Sequence, residues 1–157
     1  MTKTNAMRIL ESAGIEYTAH EYDVNEDDLT GITVANKIGA EPESVFKTLV
    51  TTGDKTGLTV FCIPVTSELD LKKAAAVSGN KKVEMIKMKD LQPLTGYIRG
   101  GCSPIGMKKL FPTYIDETAI LYDVISVSAG TRGVQIKLSP EKLREVVNAE
   151  FTDVSFQ

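Results

Sequence analysis

The chain contains one histidine, His20, two cysteines, Cys62 and Cys102, and no apolar run near the roughly 20 residues that a membrane span needs. Each scarcity removes a class of function. A lone histidine excludes metal sites built on histidine clusters. Two cysteines without ligand spacing supply neither a zinc ribbon nor a disulfide framework, and their apolar or glycine-rich surroundings read as those of reduced thiols. Met1-Thr2-Lys3-Thr4-Asn5 leads straight into a helical pattern and not into the apolar core of a signal peptide, so a cytoplasmic protein off the membrane is expected. The strong catalytic signatures are missing too: there is no Gly-x-Ser-x-Gly elbow, no P-loop and no dinucleotide fingerprint in its proper context. Gly96 to Gly101 is glycine-rich but opens no helix. Neither a metal ion nor a cofactor is expected.

What is present fits an ordinary globular protein: 157 residues, 42% apolar and 25% charged, read as one domain over residues 1–157. The net charge of −3 argues against a nucleic-acid partner until its distribution is considered. Residues 71–110 carry nine basic side chains (Lys72, Lys73, Lys81, Lys82, Lys87, Lys89, Arg99, Lys108 and Lys109) against only Glu84 and Asp90. Such a local excess on an acidic chain is either a solvated face or a place where a phosphate backbone docks.

Periodicity predicts a helix over 3–13, a strand over 17–23, a short helix over 33–38 stopped by Gly39, and a β-hairpin from 45–52 and 58–65 around a turn at 53–57. Asp70 is placed to cap a helix that Gly79 closes. Val83 to Met88 reads as a strand and Asp90 to Leu94 as a helical turn. Strands follow near 113–115, 123–127 and 132–138, and Ser139-Pro140-Glu141 starts a helix to about Val147. Many short strands with scattered helices point to an α+β fold around a mixed, barrel-like sheet.

Several residues carry candidate chemistry. Alternation puts Lys47 on the same face as Val45 and Leu49, where a lysine either snorkels to water or reaches into a cleft to meet an anion. His20 and Tyr22 share a strand face, as a polar-ligand contact or as a satisfied pair. Gly100 and Gly101 bring main-chain N–H groups close to any occupant beside them, as an oxyanion hole or simply as a tight turn. Ser128 ends a strand before Ala129-Gly130, as a hydroxyl at a cleft mouth or as a cap. Cys102 has no base but His20, distant in sequence, and reads as a small buried thiol.

Taken together, Lys47-Thr48-Leu49-Val50, Leu69-Asp70-Leu71-Lys72-Lys73, Lys81-Lys82-Val83-Glu84-Met85, the run from Thr95-Gly96-Tyr97 through Arg99-Gly100-Gly101-Cys102-Ser103-Pro104 to Gly106, Pro112-Thr113 with Asp116, and Ser128-Ala129-Gly130-Thr131-Arg132-Gly133 occur in the order and spacing of one family. The chain resembles the YbaK/EbsC family of Cys-tRNA(Pro)/Cys-tRNA(Cys) deacylases, relatives of the editing domain inserted in bacterial prolyl-tRNA synthetases. The resemblance implies a six- or seven-stranded mixed sheet curled into a barrel-like core and flanked by helices. It also implies a cleft for the aminoacylated 3′ end of tRNA. Lys47 matches the family's most characteristic functional residue, and Tyr22, Gly100, Gly101 and Ser128 match its pocket. Deacylases of the family can carry an aspartate two residues after the Arg-Gly pair, where this chain has the neutral Gln135. The implied partners are aminoacylated tRNA, contacted by Lys72, Lys73, Lys81, Lys82, Arg99, Lys108 and Lys109, and prolyl-tRNA synthetase.

The missing catalytic groups are compatible with that activity when the substrate brings its own. Cysteine and proline are similar in size, and a binding pocket separates near-isosteres by only about 1–3 kcal/mol. A cysteinyl ester carries a thiol with a pKa of about 8.5 that sits beside its own carbonyl. Prolyl-tRNA has no such nucleophile and would be spared. A deacylase for another small residue such as alanine, and a non-catalytic module that binds tRNA or a synthetase, are the alternatives.

Overall fold

A computed structural model describes residues 2–156. Helices α1 (Asn5–Ser12), α2 (Gly31–Ile38), α3 (Leu71–Ser78), α4 (Met88–Thr95) and α5 (Pro140–Val146) alternate with strands β1 (Thr18–Glu21), β2 (Phe46–Gly53), β3 (Gly57–Pro64), β4 (Val83–Met85), β5 (Thr113–Asp116), β6 (Ile125–Ser128), β7 (Val134–Leu138) and β8 (Glu150–Thr152). Local chemistry sets many of the boundaries. Thr4 caps α1 by accepting from the Met7 N–H, and Asp70 caps α3 by accepting from Lys72 and Lys73. Ser139 caps α5 ahead of Pro140, and Gly79 closes α3 in the left-handed conformation that favours glycine.

The architecture is α+β. The strands form two sheets, β1-β7-β6 and β4-β2-β3-β5-β8, antiparallel except where β5 pairs in parallel with β3 and β8. A single parallel bridge, Val45 to Ser126, joins the two sheets. The barrel-like sheet of six or seven strands expected from the resemblance is therefore eight strands in two sheets that do not close. Val83 to Met88 is not one strand, because the chain leaves β4 after Met85 and starts α4 at Met88. The C-terminal strand β8 was not apparent in the sequence. Its neighbouring segment is held by the buried carboxylate of Asp116, which accepts from the Val154 N–H at 3.1 Å and the Ser155 hydroxyl at 3.0 Å.

Two apolar cores lie on opposite sides of the β2–β3 hairpin. Phe46, Cys62, Ile115, Val127, Ile136 and Leu143 pack with Met7 and Leu10 of α1. Phe61, Ile63, Leu69, Ala74, Val83 and Val154 pack on the other side, beneath α3. Phe61, Cys62 and Ile63 alternate between the cores, so β3 reads as a continuous apolar run because both its faces are covered.

The gap between the sheets makes the cleft. Val65 N–H donates to Val45 O at 2.8 Å, so the odd-numbered residues of β2 bond to β3 and the even-numbered ones turn their main-chain groups away from it. β4 covers that outward edge only at Thr51–Gly53, and the Val50 carbonyl takes the Ile86 N–H at 3.2 Å. Between the Val45 bridge and β4, the edge around Thr48 is left open.

Candidate active site

The open edge of β2 floors a cleft of about 530 Å³, a size suited to a small organic ligand. Four separate segments meet there: Lys47 from β2, Arg99, Gly100 and Cys102 from the loop after α4, Ser128 from the end of β6, and Gln135 from β7. The start of α2 forms another wall with Leu29, Gly31 and Ile32. Met85 and Met88, both exposed, give part of the lining an apolar and adaptable surface.

Lys47 keeps its ammonium partly solvated, and among the described residues its one ion-pair partner is the exposed Glu68 carboxylate at 4.0 Å. Ser128 is buried and its Oγ accepts the Gly130 N–H at 3.1 Å. Gln135 is 6% exposed, and its Oε1 has no hydrogen-bond partner among the described residues. A buried acceptor left unpaired is costly, and this oxygen is closed off from solvent although Gln135 borders the cleft.

Gly100 and Gly101 are not equivalent. The Gly101 N–H donates to Ile98 O at 3.0 Å and closes a tight turn, whereas the Gly100 N–H has no partner among the described residues. Of the two, only Gly100 lines the cleft, and its amide is the unbonded one. Gly101 is instead a packing position, since a Cβ there would lie 3.1 Å from the Arg132 main-chain nitrogen. Tyr97 pins this loop: its hydroxyl donates to Ile105 O at 2.5 Å, and burial pushes its pKa up to about 12.

Other expected residues lie elsewhere. Tyr22 follows β1 beside Gly133, to whose carbonyl its N–H donates at 2.9 Å, and is not part of the cleft lining. His20 contacts Thr18 Oγ1 through Nε2 at 2.8 Å, and desolvation, then the charge of Lys137, lowers its pKa. Within the basic segment, Lys73 is engaged by Asp153 and the Ser155 carbonyl, Lys82 by Glu84, and Lys108 by the Pro93 carbonyl. Lys72, Lys81, Arg99 and Lys109 are exposed and form no ion pair among the described residues. Arg132 was recognised in the sequence only as part of a motif, yet its Nε–H donates to Arg99 O at 2.8 Å, 33 residues away. No local pattern announces a contact of that span.

Burial also pushes the thiols of Cys62 and Cys102 up to about 12, so neither is a thiolate near neutral pH. No group of three or more His, Cys, Asp or Glu side chains is arranged to hold a metal ion among the described residues. No helix among them is long and apolar enough to cross a membrane. The cleft lining thus holds the basic Lys47 and Arg99, the carboxylate of Glu68, the uncharged polar side chains of Thr30, Thr48, Ser128 and Gln135, and Gly100, but no protein nucleophile paired with a base.

The profile of the aminoacyl-tRNA editing domain matches residues 29–146, a span that contains every one of these cleft residues. The chain belongs to the aminoacyl-tRNA editing family. It is 54% identical over 153 residues to EbsC of Enterococcus faecalis, a protein whose name proposes Cys-tRNA(Pro)/Cys-tRNA(Cys) deacylation; the match covers 98% of this chain and 93% of that one. Among solved structures it is similar to a proposed trans-editing enzyme for prolyl-tRNA synthetase, at 24% identity and a TM-score of 0.83 over 99% of this chain and 100% of that one. A scaffold protein used for computational epitope grafting matches at 26% identity and a TM-score of 0.84, over 99% of both chains. Members of the editing family act on aminoacyl-tRNA.

Proposed function

We propose that the chain hydrolyses the ester of mischarged tRNA in trans, with cysteinyl-tRNA(Pro) as its main substrate and cysteinyl-tRNA(Cys) as a second. One observation carries the reading: the cleft gathers Gly100 with its unbonded amide, the Ser128 hydroxyl and the Lys47 ammonium beside the open edge of β2, with no activated nucleophile of its own. A site of that kind suits a substrate that supplies the attacking atom.

The thiolate of the cysteinyl group attacks its own ester carbonyl. A C–S bond forms, the C–O bond to the ribose breaks, and the departing ribose oxygen takes a proton from water, which replaces the one the thiol lost to solvent when it ionised. Water then opens the resulting four-membered thiolactone to free cysteine. The Gly100 N–H steadies the oxyanion of the first step, Ser128 and Gln135 orient the α-ammonium group, and Lys47 holds the terminal phosphate or ribose. The exposed Lys72, Lys81, Arg99 and Lys109 contact the tRNA backbone without reading bases. Such contacts tolerate many tRNAs, so selection of tRNA(Pro) falls to a partner, prolyl-tRNA synthetase, and the activity belongs in the cytoplasm with translation.

The test is single-turnover hydrolysis of Cys-, Ser-, Ala- and Pro-tRNA(Pro) by the wild type and Lys47→Ala. Loss of cysteine alone, weakened by the substitution, is expected. Serinyl-tRNA cleaved as fast as cysteinyl-tRNA would eliminate the thiol mechanism. Cleavage of alanine alone would keep the reaction and move the specificity, and binding without turnover would make the chain a tRNA-binding module.

A further inference from the structure

The loop that supplies the Gly100 amide is a four-residue turn with two possible orientations of its central peptide. Gly101 N–H bonds to Ile98 O, Gly100 has φ of +83°, and Arg99 is not among the residues of positive φ. These features define a type II turn, in which the third residue takes the left-handed region and is usually glycine. Type I and type II turns of the same residues differ by a flip of the central peptide, here Arg99–Gly100. The flip matters because a trans peptide points its carbonyl and the following N–H in opposite directions, and this chain has no cis peptide among the described residues. One orientation offers an N–H to the space that the other fills with a carbonyl oxygen.

Arg132 bonds to the carbonyl of this peptide in the orientation present. Its Nε–H donates to Arg99 O at 2.8 Å, and its Nη1 lies 3.7 Å from Oε1 of the exposed Glu26. Holding Arg99 O toward Arg132 turns the Gly100 N–H the opposite way. The arginine stem also packs on the turn, since a Cβ at Gly100 would stand 3.3 Å from Arg132 Nε. We infer that Arg132 is a positioning residue that locks the Arg99–Gly100 peptide in the orientation presenting the Gly100 N–H to the substrate carbonyl. The inference rests on the deacylase reading of the cleft. It assigns Arg132 no contact with substrate.

Arg132→Lys separates this role from a phosphate contact. Lysine keeps the charge but places a methylene where the arginine Nε–H stood. Single-turnover rates at saturating enzyme are measured for Cys-tRNA(Pro) with the wild type, Arg132→Lys and Arg132→Ala, with thermal unfolding as the check on folding. Both variants are expected to lose rate by roughly 10- to 100-fold, short of the 10²–10³ that deletion of an oxyanion donor costs, with little change in half-saturating concentration. Wild-type rate in Arg132→Lys, or an effect confined to half-saturation and salt dependence, overturns the inference in favour of a phosphate contact.

The turn is also read directly by nuclear Overhauser effects in the free protein. A type II turn brings Arg99 Hα close to the Gly100 amide proton, whereas a type I turn brings the two amide protons together. The second pattern is expected to grow in both variants, and its absence from both overturns the inference. A wild type that cleaves none of the esters removes the deacylase reading and with it the catalytic consequence. The Overhauser pattern still decides whether Arg132 sets the peptide, so the two failures are distinguishable.

Discussion

Lys47 Nζ lies 4.0 Å from Glu68 Oε1 at the cleft, and the glutamate side chain is 84% exposed. An ion pair this exposed is weak, so it holds the lysine near the cleft without consuming it. An incoming tRNA phosphate is expected to replace Glu68 as the partner. Glu68→Gln is expected to tighten half-saturation by no more than about fivefold, the range of an exposed pair. Lys47→Ala is expected to weaken it and to flatten the dependence of log affinity on log salt by about 0.7, one single-strand phosphate contact. Titration of single-turnover rate against enzyme concentration at several salt concentrations checks both.

The pH profile identifies the nucleophile. With both protein thiols pushed up to about 12, neither ionises appreciably between pH 6 and 9. A rate that climbs about tenfold per pH unit and levels near the ordinary thiol pKa of about 8.5 therefore reports the substrate. Cys102→Ser is expected to keep that slope and plateau. A slope that disappears in Cys102→Ser would reassign the attack to the protein.

Gln135→Leu is expected to move stability and binding in opposite directions. Its buried Oε1 is unpaired in the free protein, so Gln135→Leu removes an unsatisfied acceptor. A gain of about 1 kcal/mol is expected, a rise in Tm of roughly 2–4 °C for a chain of this size. The same variant loses a contact to the substrate and is expected to raise half-saturation severalfold. Calorimetry and single-turnover kinetics on one preparation test both signs, and a variant that is destabilised would show that Gln135 is structural.

Asp116 is the corresponding structural position. Its carboxylate accepts from Thr118 N–H and Oγ1 as well as from Val154 and Ser155, and it is fully buried. Asp116→Ala strands buried donors on both sides and is expected to cost about 3 kcal/mol. Thermal unfolding should show a fall in Tm of roughly 6–12 °C. Because the residue lies outside the cleft lining, the folded fraction is expected to retain its rate.

The family resemblance and the local elements were legible because they depend on neighbours in sequence. Asp70, Gly79, Ser139 and Pro140 act within a turn or two of themselves, and their boundaries follow from caps and stops. The β2–β3 hairpin follows from alternation around one short turn. β8 was not legible, because three residues make no pattern and its support comes from parallel pairing with β5, while Asp116 of that strand holds the segment just after it.

By itself, the sequence determined which groups were available: one histidine, two thiols without a partner base, a lysine in an apolar strand and paired glycines in a loop. It could not decide which of them share a space. Only the tertiary structure did, by leaving the edge of β2 open between a single bridge to β6 and the start of β4. The inequality of Gly100 and Gly101 was equally beyond the sequence, since it depends on one turn bond and on an arginine 33 residues from the carbonyl it holds. Capping and alternation are local interactions that sequence spacing encodes. The direction of a peptide N–H is fixed by whichever distant group takes the opposing carbonyl, and that group is known only once the chain has folded.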